Sequence, residues 1–265
     1  MRALLSTRIF AARRLDCAPL HLARRTGFPE VEIHAAPEHF DPFDLGAAQR
    51  AIAALQREGM RPRWLHVGAA TLNQLGDERR MIAFRDVVRT LRVEAVVADT
   101  RAWGVRQDAG LLRIDDLKIR LLADNVRLVL DLRRIDERIA RRLPSDLGLC
   151  WDMAGATAHD GEAGLDEVRG MFEGLARGRI LGVRAARLED GRRGLPDRQE
   201  ARLLEEVWRL QAPGTLVYDV DDPSGFGVER ELRDTLEALC AFHGGAKRDH
   251  PEQGGGLFWS SLAPG

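Results

Sequence analysis

The sequence predicts an α/β protein folded as a single (β/α)8 barrel. Short apolar segments alternate with amphipathic ones eight times. The 265 residues are close to the ~250 that eight such units need. No break in composition divides the chain before residue 244. A doubly wound open sheet would also alternate, but its first strand would usually lead into a glycine-rich phosphate loop. Here it leads into AARRLDCAPL, which holds no glycine.

The first strand is read in ALLSTRIF (3–10). The surrounding MRALLSTRIFAARRL is not taken as a cleaved leader, because arginines interrupt it and no small-residue cleavage site follows. APLHLARRTG then has apolar residues at helical spacing, with Gly27 as a stop. The second strand is EVEIHA (30–35), followed by DLGAAQRAIAALQREG, a helix with Asp44 as N-cap and Gly59 at its end. RWLHVG (63–68) precedes the helix DERRMIAFRDVVRTL, and EAVVAD (94–99) precedes IDDLKIRLLADN. VRLVLD (126–131) leads to RIDERIARRL, and LGLCWD (147–152) leads to GLDEVRGMFEGLARG. ILGVRAA (180–186) leads to DRQEARLLEEVWRL, and GTLVYDV (214–220) leads to VERELRDTLEALCAFHG. The strand segments are aliphatic, β-branched and almost continuously apolar, as strands covered on both faces are. The barrel is therefore expected over residues 1–243. Residues 244–265 lose periodicity and collect glycine, and read either as a disordered tail or as a flap over the barrel, which Leu257, Phe258 and Trp259 would allow.

With 45% hydrophobic and 31% charged residues, the chain reads as an ordinary globular protein. No apolar run nears the ~20 residues that cross a bilayer, so no membrane partner is expected. A net charge of −1 lacks the basic excess of a nucleic-acid footprint. Cys17, Cys150 and Cys240 are odd in number and have no metal-binding spacing, which fits a reducing cytoplasm. Lys118 and Lys247 are the only lysines. The abundant arginines read either as phosphate-binding forks or, given their even spread, as a compositional bias.

In such barrels the chemistry sits at the C-terminal ends of the strands. Read there, strand two carries Glu32 and His34, strand three His66, and strand four ends at Asp99. Strand five ends at Asp131, strand six at Asp152, strand seven passes through Arg184 and strand eight reaches Asp219. Crowded carboxylates raise one another's pKa unless a cation joins them. That cation is either a divalent metal or an arginine. Each strand-terminal aspartate also has a plainer reading, as the cap of the helix that follows.

These segments resemble the xylose isomerase-like superfamily of TIM barrels over about residues 3–243. That superfamily groups sugar isomerases and epimerases with the endonuclease IV type of abasic-site nuclease. TGFPEVEIHA is similar to its second strand, RWLHVGA to its third, and LGDERRMIAFRDVVRTL to the following helix. LGLCWDMAGA resembles the segment where the family writes Asp-x-x-His, GRILGVRAARLED the one with Val-His-x-x-Asp, and LVYDV the strand ending in a metal-binding glutamate.

The resemblance implies one divalent metal (Mn, Co, Zn or Mg) held by Glu, Asp, His and Glu at the positions of Asp131, Asp152, Arg184 and Asp219. Two glutamates are thus shortened to aspartate, the histidine ligand becomes arginine, and the histidine expected after Asp152 is Gly155. A retained site would have Asp131, Asp152 and Asp219 as metal ligands. Yet a guanidinium is permanently charged and has no lone pair for a metal. The expectation is instead a salt-bridge cluster in which Arg184 neutralises Asp131, Asp152 and Asp219, given room by carboxylates retracted by ~1.5 Å.

The implied activity is that of a sugar isomerase or epimerase, moving a proton next to a carbonyl of a small sugar-like or polyol-like substrate. Asp131 and Asp219 would be the acid–base pair and Arg184 the electrophile. Glu32, His34, His66 and Asp99 would line the substrate pocket. His159 reads as a solvated loop residue and His243 as a cation at a helix C-terminus. The alternative is a barrel without catalysis, serving as a binding or scaffold protein in a homo-oligomer or with a partner protein. The nuclease reading needs three metals, more histidines and a phosphate-neutralising surface, which this chain lacks.

Overall fold

The structure is a computed structural model. It describes residues 2–99 apart from 12 and 26, 108–132, 143–155, 178–189, 192–194 and 198–219 apart from 212, with isolated positions between 166 and 175. The expected helix RIDERIARRL apart from Leu143, most of GLDEVRGMFEGLARG, VERELRDTLEALCAFHG, and residues 244–265 lie outside the described residues, as do His159 and His243.

Eight strands pair in parallel and close on themselves: β1 (Arg2–Ser6), β2 (Glu30–Ala35), β3 (Arg61–Val67), β4 (Ala95–Asp99), β5 (Arg127–Leu132), β6 (Gly148–Asp152), β7 (Ile180–Ala185) and β10 (Thr215–Tyr218). The remaining two, β8 (Arg187–Glu189) and β9 (Arg192–Gly194), form an antiparallel hairpin after β7 that no sequence signal announced. Closure comes from β1, which pairs with β2 on one side and β10 on the other. This is a (β/α)8 barrel, with helices between the strands.

Local chemistry sets the helix ends. Helix α1 is Cys17–Arg25, and Gly27 follows it with φ 100°. Helix α2 (Leu45–Arg57) starts where the Asp44 carboxylate accepts the Gly46 N–H at 2.8 Å, and Gly59 leaves it at φ 63°. A short helix not expected from the sequence, α3 (Ala69–Gln74), precedes α4 (Glu78–Leu91). Asp77 caps α4 by accepting the Arg80 N–H at 3.0 Å. The helix buries Met81, Phe84, Val87, Val88 and Leu91, the one-face spacing of an amphipathic helix. Helix α5 (Asp108–Leu122) begins six residues before the IDDLKIRLL pattern, and α6 is Arg198–Gln211. The expected first strand is shorter than its apolar run. The Ser6 hydroxyl accepts the Arg8 N–H at 3.4 Å and turns Thr7–Phe10 into a 3-10 helix.

Alternation along each strand sends one set of side chains to the helices and the other into the barrel. The outward set, including Leu5, Ile33, Leu65, Val96, Leu130 and Trp151, packs beneath the helices. The inward set divides by height. Its lower part is apolar: Leu4, Trp64, Ala95, Val97, Val129, Cys150 and Val217. Gly182 faces the Trp64 indole so closely that a Cβ there would run into the ring. Two residues further along the same strands the inward side chains become polar, and that change of layer makes the site. At the opposite rim Arg2, Glu30, Arg63 and Glu94 are linked by ion pairs across the first four strands.

Candidate active site at the C-terminal mouth of the barrel

The polar layer is built by strand register. His34 lies opposite His66, Asp99 opposite Asp131, and Asp152 opposite Arg184. Asp219 follows directly on β10. Glu32, Asp99, Asp152, Arg184, Asp219 and His66 are all buried, while His34 and Asp131 are half-buried.

Arg184 is the centre of the layer, with a side chain only 1% exposed. Its two terminal nitrogens grip both oxygens of Glu32, Nη1 to Oε1 at 2.6 Å and Nη2 to Oε2 at 2.9 Å. Its Nε donates to Asp131 Oδ2 at 3.1 Å, and Nη1 lies 3.4 Å from Asp219 Oδ2. Burial by itself would lower the guanidinium's pKa. The charges of Glu32, Asp131 and Asp219 outweigh it and hold the group well above its ordinary value. A bidentate arginine–carboxylate fork is strong and directional, and here no solvent competes for it. Glu32 was expected to face a substrate; its two oxygens instead fix the arginine. Asp152 was expected beside Asp131 and Asp219 around Arg184; its Oδ1 accepts the Ala154 N–H at 3.1 Å and caps the 3-10 turn Met153–Gly155.

Two histidines extend the cluster outward. His66 Nε2 lies 3.2 Å from Asp131 Oδ2, the oxygen that also receives Arg184 Nε. His66 Nδ1 lies 3.1 Å from His34 Nδ1. Burial, followed by the neighbouring His66, lowers the His34 pKa to about 2, so its imidazole is neutral.

Sequence reasoning passed over His39. It is buried, with Nδ1 2.5 Å from the Arg13 carbonyl and Nε2 2.9 Å from Thr7 Oγ1. Burial lowers its pKa, so the ring is neutral and Nδ1–H donates to the carbonyl. Nε2 then accepts the Thr7 hydroxyl, and Thr7 Oγ1 in turn accepts the His34 backbone N–H at 2.9 Å. That chain anchors the end of β2. Cys150 lies under Asp131 and Arg184, where burial and then the Asp131 charge push its thiol well above the usual range and make it inert.

Among the described residues, no three His, Cys, Asp or Glu side chains are grouped to hold a metal ion. A guanidinium, which has no lone pair for a metal, stands between the carboxylates of Asp131 and Asp219 that the resemblance assigns to one. A cavity of about 320 Å³ opens at the other end of the barrel, beside Arg127, Gly148 and Arg179 where β5, β6 and β7 begin. Barrel chemistry belongs to the opposite face.

No protein-family model matches the chain, and no curated protein matches it significantly. Solved structures do. A xylose isomerase domain-containing protein from Salmonella typhimurium superposes with a TM-score of 0.67 at 12% identity, covering 91% of this chain and 97% of that one. The IolI protein with a bound zinc atom gives 0.63 at 14% identity, over 94% and 99% of the two chains. A D-tagatose 3-epimerase-like protein gives 0.64 at 13% identity, over 94% and 99%. The chain therefore has the fold of the xylose isomerase-like TIM barrels. At such identities the likeness establishes the fold. No described helix is long and apolar enough to cross a membrane.

Proposed function

We propose that the protein is an isomerase or epimerase of a small sugar-like or polyol-like molecule, moving a proton next to a carbonyl. In this reading Arg184 takes the place that the resemblance gives to a divalent metal. The observation that carries it is the buried Glu32–Arg184 fork, tied to Asp131 and Asp219 at the catalytic end of the barrel. Proton abstraction next to a carbonyl builds an enediolate, and a fixed positive charge in a water-poor site stabilises it. Three N–H groups of Arg184 hydrogen-bond to carboxylates, and Nη1 also lies 3.4 Å from Asp219 Oδ2. The second hydrogen on Nη2 meets no partner among the described residues, which leaves a donor for a substrate oxygen.

Asp131 and Asp219 were the expected acid–base pair. Asp131 Oδ2 is shared between Arg184 and His66, and Asp219 also lies against Arg184, so both aspartates are here given the task of holding the guanidinium. Asp99, buried opposite Asp131, keeps its proposed place in the pocket wall. The D-tagatose 3-epimerase-like neighbour supports the substrate class. A reducing cytoplasm fits the free thiols of Cys17 and Cys150.

The test is proton exchange. The protein is incubated in D2O with D-tagatose, D-fructose or another ketose, and the protons beside the carbonyl are followed by NMR. The reading expects deuterium to enter, about 100-fold or more slower in Arg184→Lys, which keeps the charge but loses the fork. No exchange on any ketose would favour a non-catalytic barrel acting as a scaffold, alone as a homo-oligomer or with a partner protein.

A further inference from the structure

We propose that Asp131, His66 and His34 form a proton relay that ends on an unprotonated His34 Nε2, and that this nitrogen is the base for the proton transfer proposed above. The part concerning the base rests on that reading; the relay does not.

The relay takes His66 as neutral at rest, and the contacts then place the hydrogens. Asp131 Oδ2 is paired with a permanently charged guanidinium and can only accept, so His66 Nε2, 3.2 Å away, carries its hydrogen. A neutral His66 then has a bare Nδ1. Two ring nitrogens 3.1 Å apart share one hydrogen, which must sit on His34 Nδ1. That leaves His34 Nε2 with its lone pair. No described residue bonds to it, and His34 is the half-buried member of the histidine pair.

The rings are disposed for transfer. Their centroids are 5.2 Å apart and their planes 15° apart. Parallel faces would keep all ring atoms ~3.5 Å or more apart. The 3.1 Å nitrogen contact therefore marks an edge-to-edge arrangement, with the shared hydrogen lying close to both ring planes. The ladder Thr7–His39–Arg13 holds the backbone of His34 in register.

Such a relay solves a problem that a lone histidine would face here. His34 is a poor place for a positive charge. Burial, His66, Arg8 and Arg184 all disfavour the imidazolium, and only Asp219 opposes them. When substrate C–H breaks, its electron pair stays on the substrate as the enediolate and the proton forms a bond to His34 Nε2. The Nδ1–H of His34 breaks at once, and its proton bonds to His66 Nδ1. The charge thus comes to rest on His66, against Asp131. The reverse shift returns a proton to the substrate and restores both tautomers, so nothing but the proton is exchanged.

The experiment has two parts on the full chain. Protein with 15N-labelled histidine is studied by long-range 1H–15N correlation at pH 7.5, with His34→Gln and His66→Gln used for assignment. The relay expects His34 protonated on Nδ1 and bare on Nε2, with His66 protonated on Nε2. A His34 protonated on Nε2 at this pH would overturn it, whatever the activity. Deuterium exchange into D-tagatose is then compared in wild type, His34→Gln and His34→Ala with added imidazole. A loss of at least 100-fold in both variants at unchanged melting temperature, partly restored by imidazole in His34→Ala, supports the base. An active His34→Gln refutes it. If the wild-type protein exchanges no ketose proton, the proposed function falls, and the spectra still decide the relay.

Discussion

Arg184 is buried with three carboxylates, of which Glu32 is 0% and Asp219 2% exposed. Removing a single partner from such a cluster strands its opposite charges, which costs about 3–5 kcal/mol. Arg184→Met should therefore lose that much stability in urea denaturation. The double variant Arg184→Met/Glu32→Met should recover part of it, since replacing both members of a buried pair is far cheaper than breaking it. Equal stability of wild type and Arg184→Met would mean that the cluster does not hold the barrel mouth together.

The neutral histidines give a second expectation at this scale. The folded-state pKa values of His34 and His39 lie below their ordinary 6.5. Below pH 6.5 the unfolded chain takes up protons that the folded chain refuses, so stability must fall as pH drops. For His34 the window runs from 6.5 down to about 2. Each such histidine contributes a slope of up to about 1.4 kcal/mol per pH unit. The urea midpoint should decline from pH 7.5 to pH 5, and less steeply in His39→Gln. A flat profile would show that the rings are charged in the native state.

At the scale of single elements, what can be read from the chain is what is local. Asp44 announces α2 because a cap and the backbone N–H it accepts lie two residues apart. The strand EVEIHA matches β2 end to end. The partnership of Glu32 with Arg184 has no local signal, since the two residues are 152 positions apart and meet only when the barrel closes. His39 is hidden for the same reason: its partners Thr7 and Arg13 come from the turn after β1. The hairpin β8–β9 and the short helix α3 lack the length that makes periodicity visible. Gly182 is a case where the element explains the residue. On β7 it leaves the barrel axis to Trp64 of β3, and an added methyl would meet the indole. Gly182→Ala should cost about 1–3 kcal/mol by overpacking. Trp64→Leu, which vacates the space, should reduce that penalty in the double variant; additive losses would argue against the contact.

At the scale of the whole molecule, the barrel is divided across its height. Apolar layers from Leu4 to Val217 close its lower part, and a layer of one arginine, two histidines and several carboxylates closes its top. The eight-fold alternation predicts the barrel, and the residues read at the strand ends are those expected at its mouth. The resemblance already sets Arg184 among Asp131 and Asp219, and the structure brings its guanidinium within 3.1 Å and 3.4 Å of them. The central claim, that this guanidinium supplies the positive charge of the site, is tested most directly by elemental analysis of the purified protein joined to thermal melting in Mn2+, Co2+, Zn2+, Mg2+ and chelator. The account predicts no stoichiometric metal and the same melting temperature in every condition. One equivalent of metal and a melting temperature raised by that ion would contradict it, and would give Asp131, Asp152 and Asp219 back to a metal.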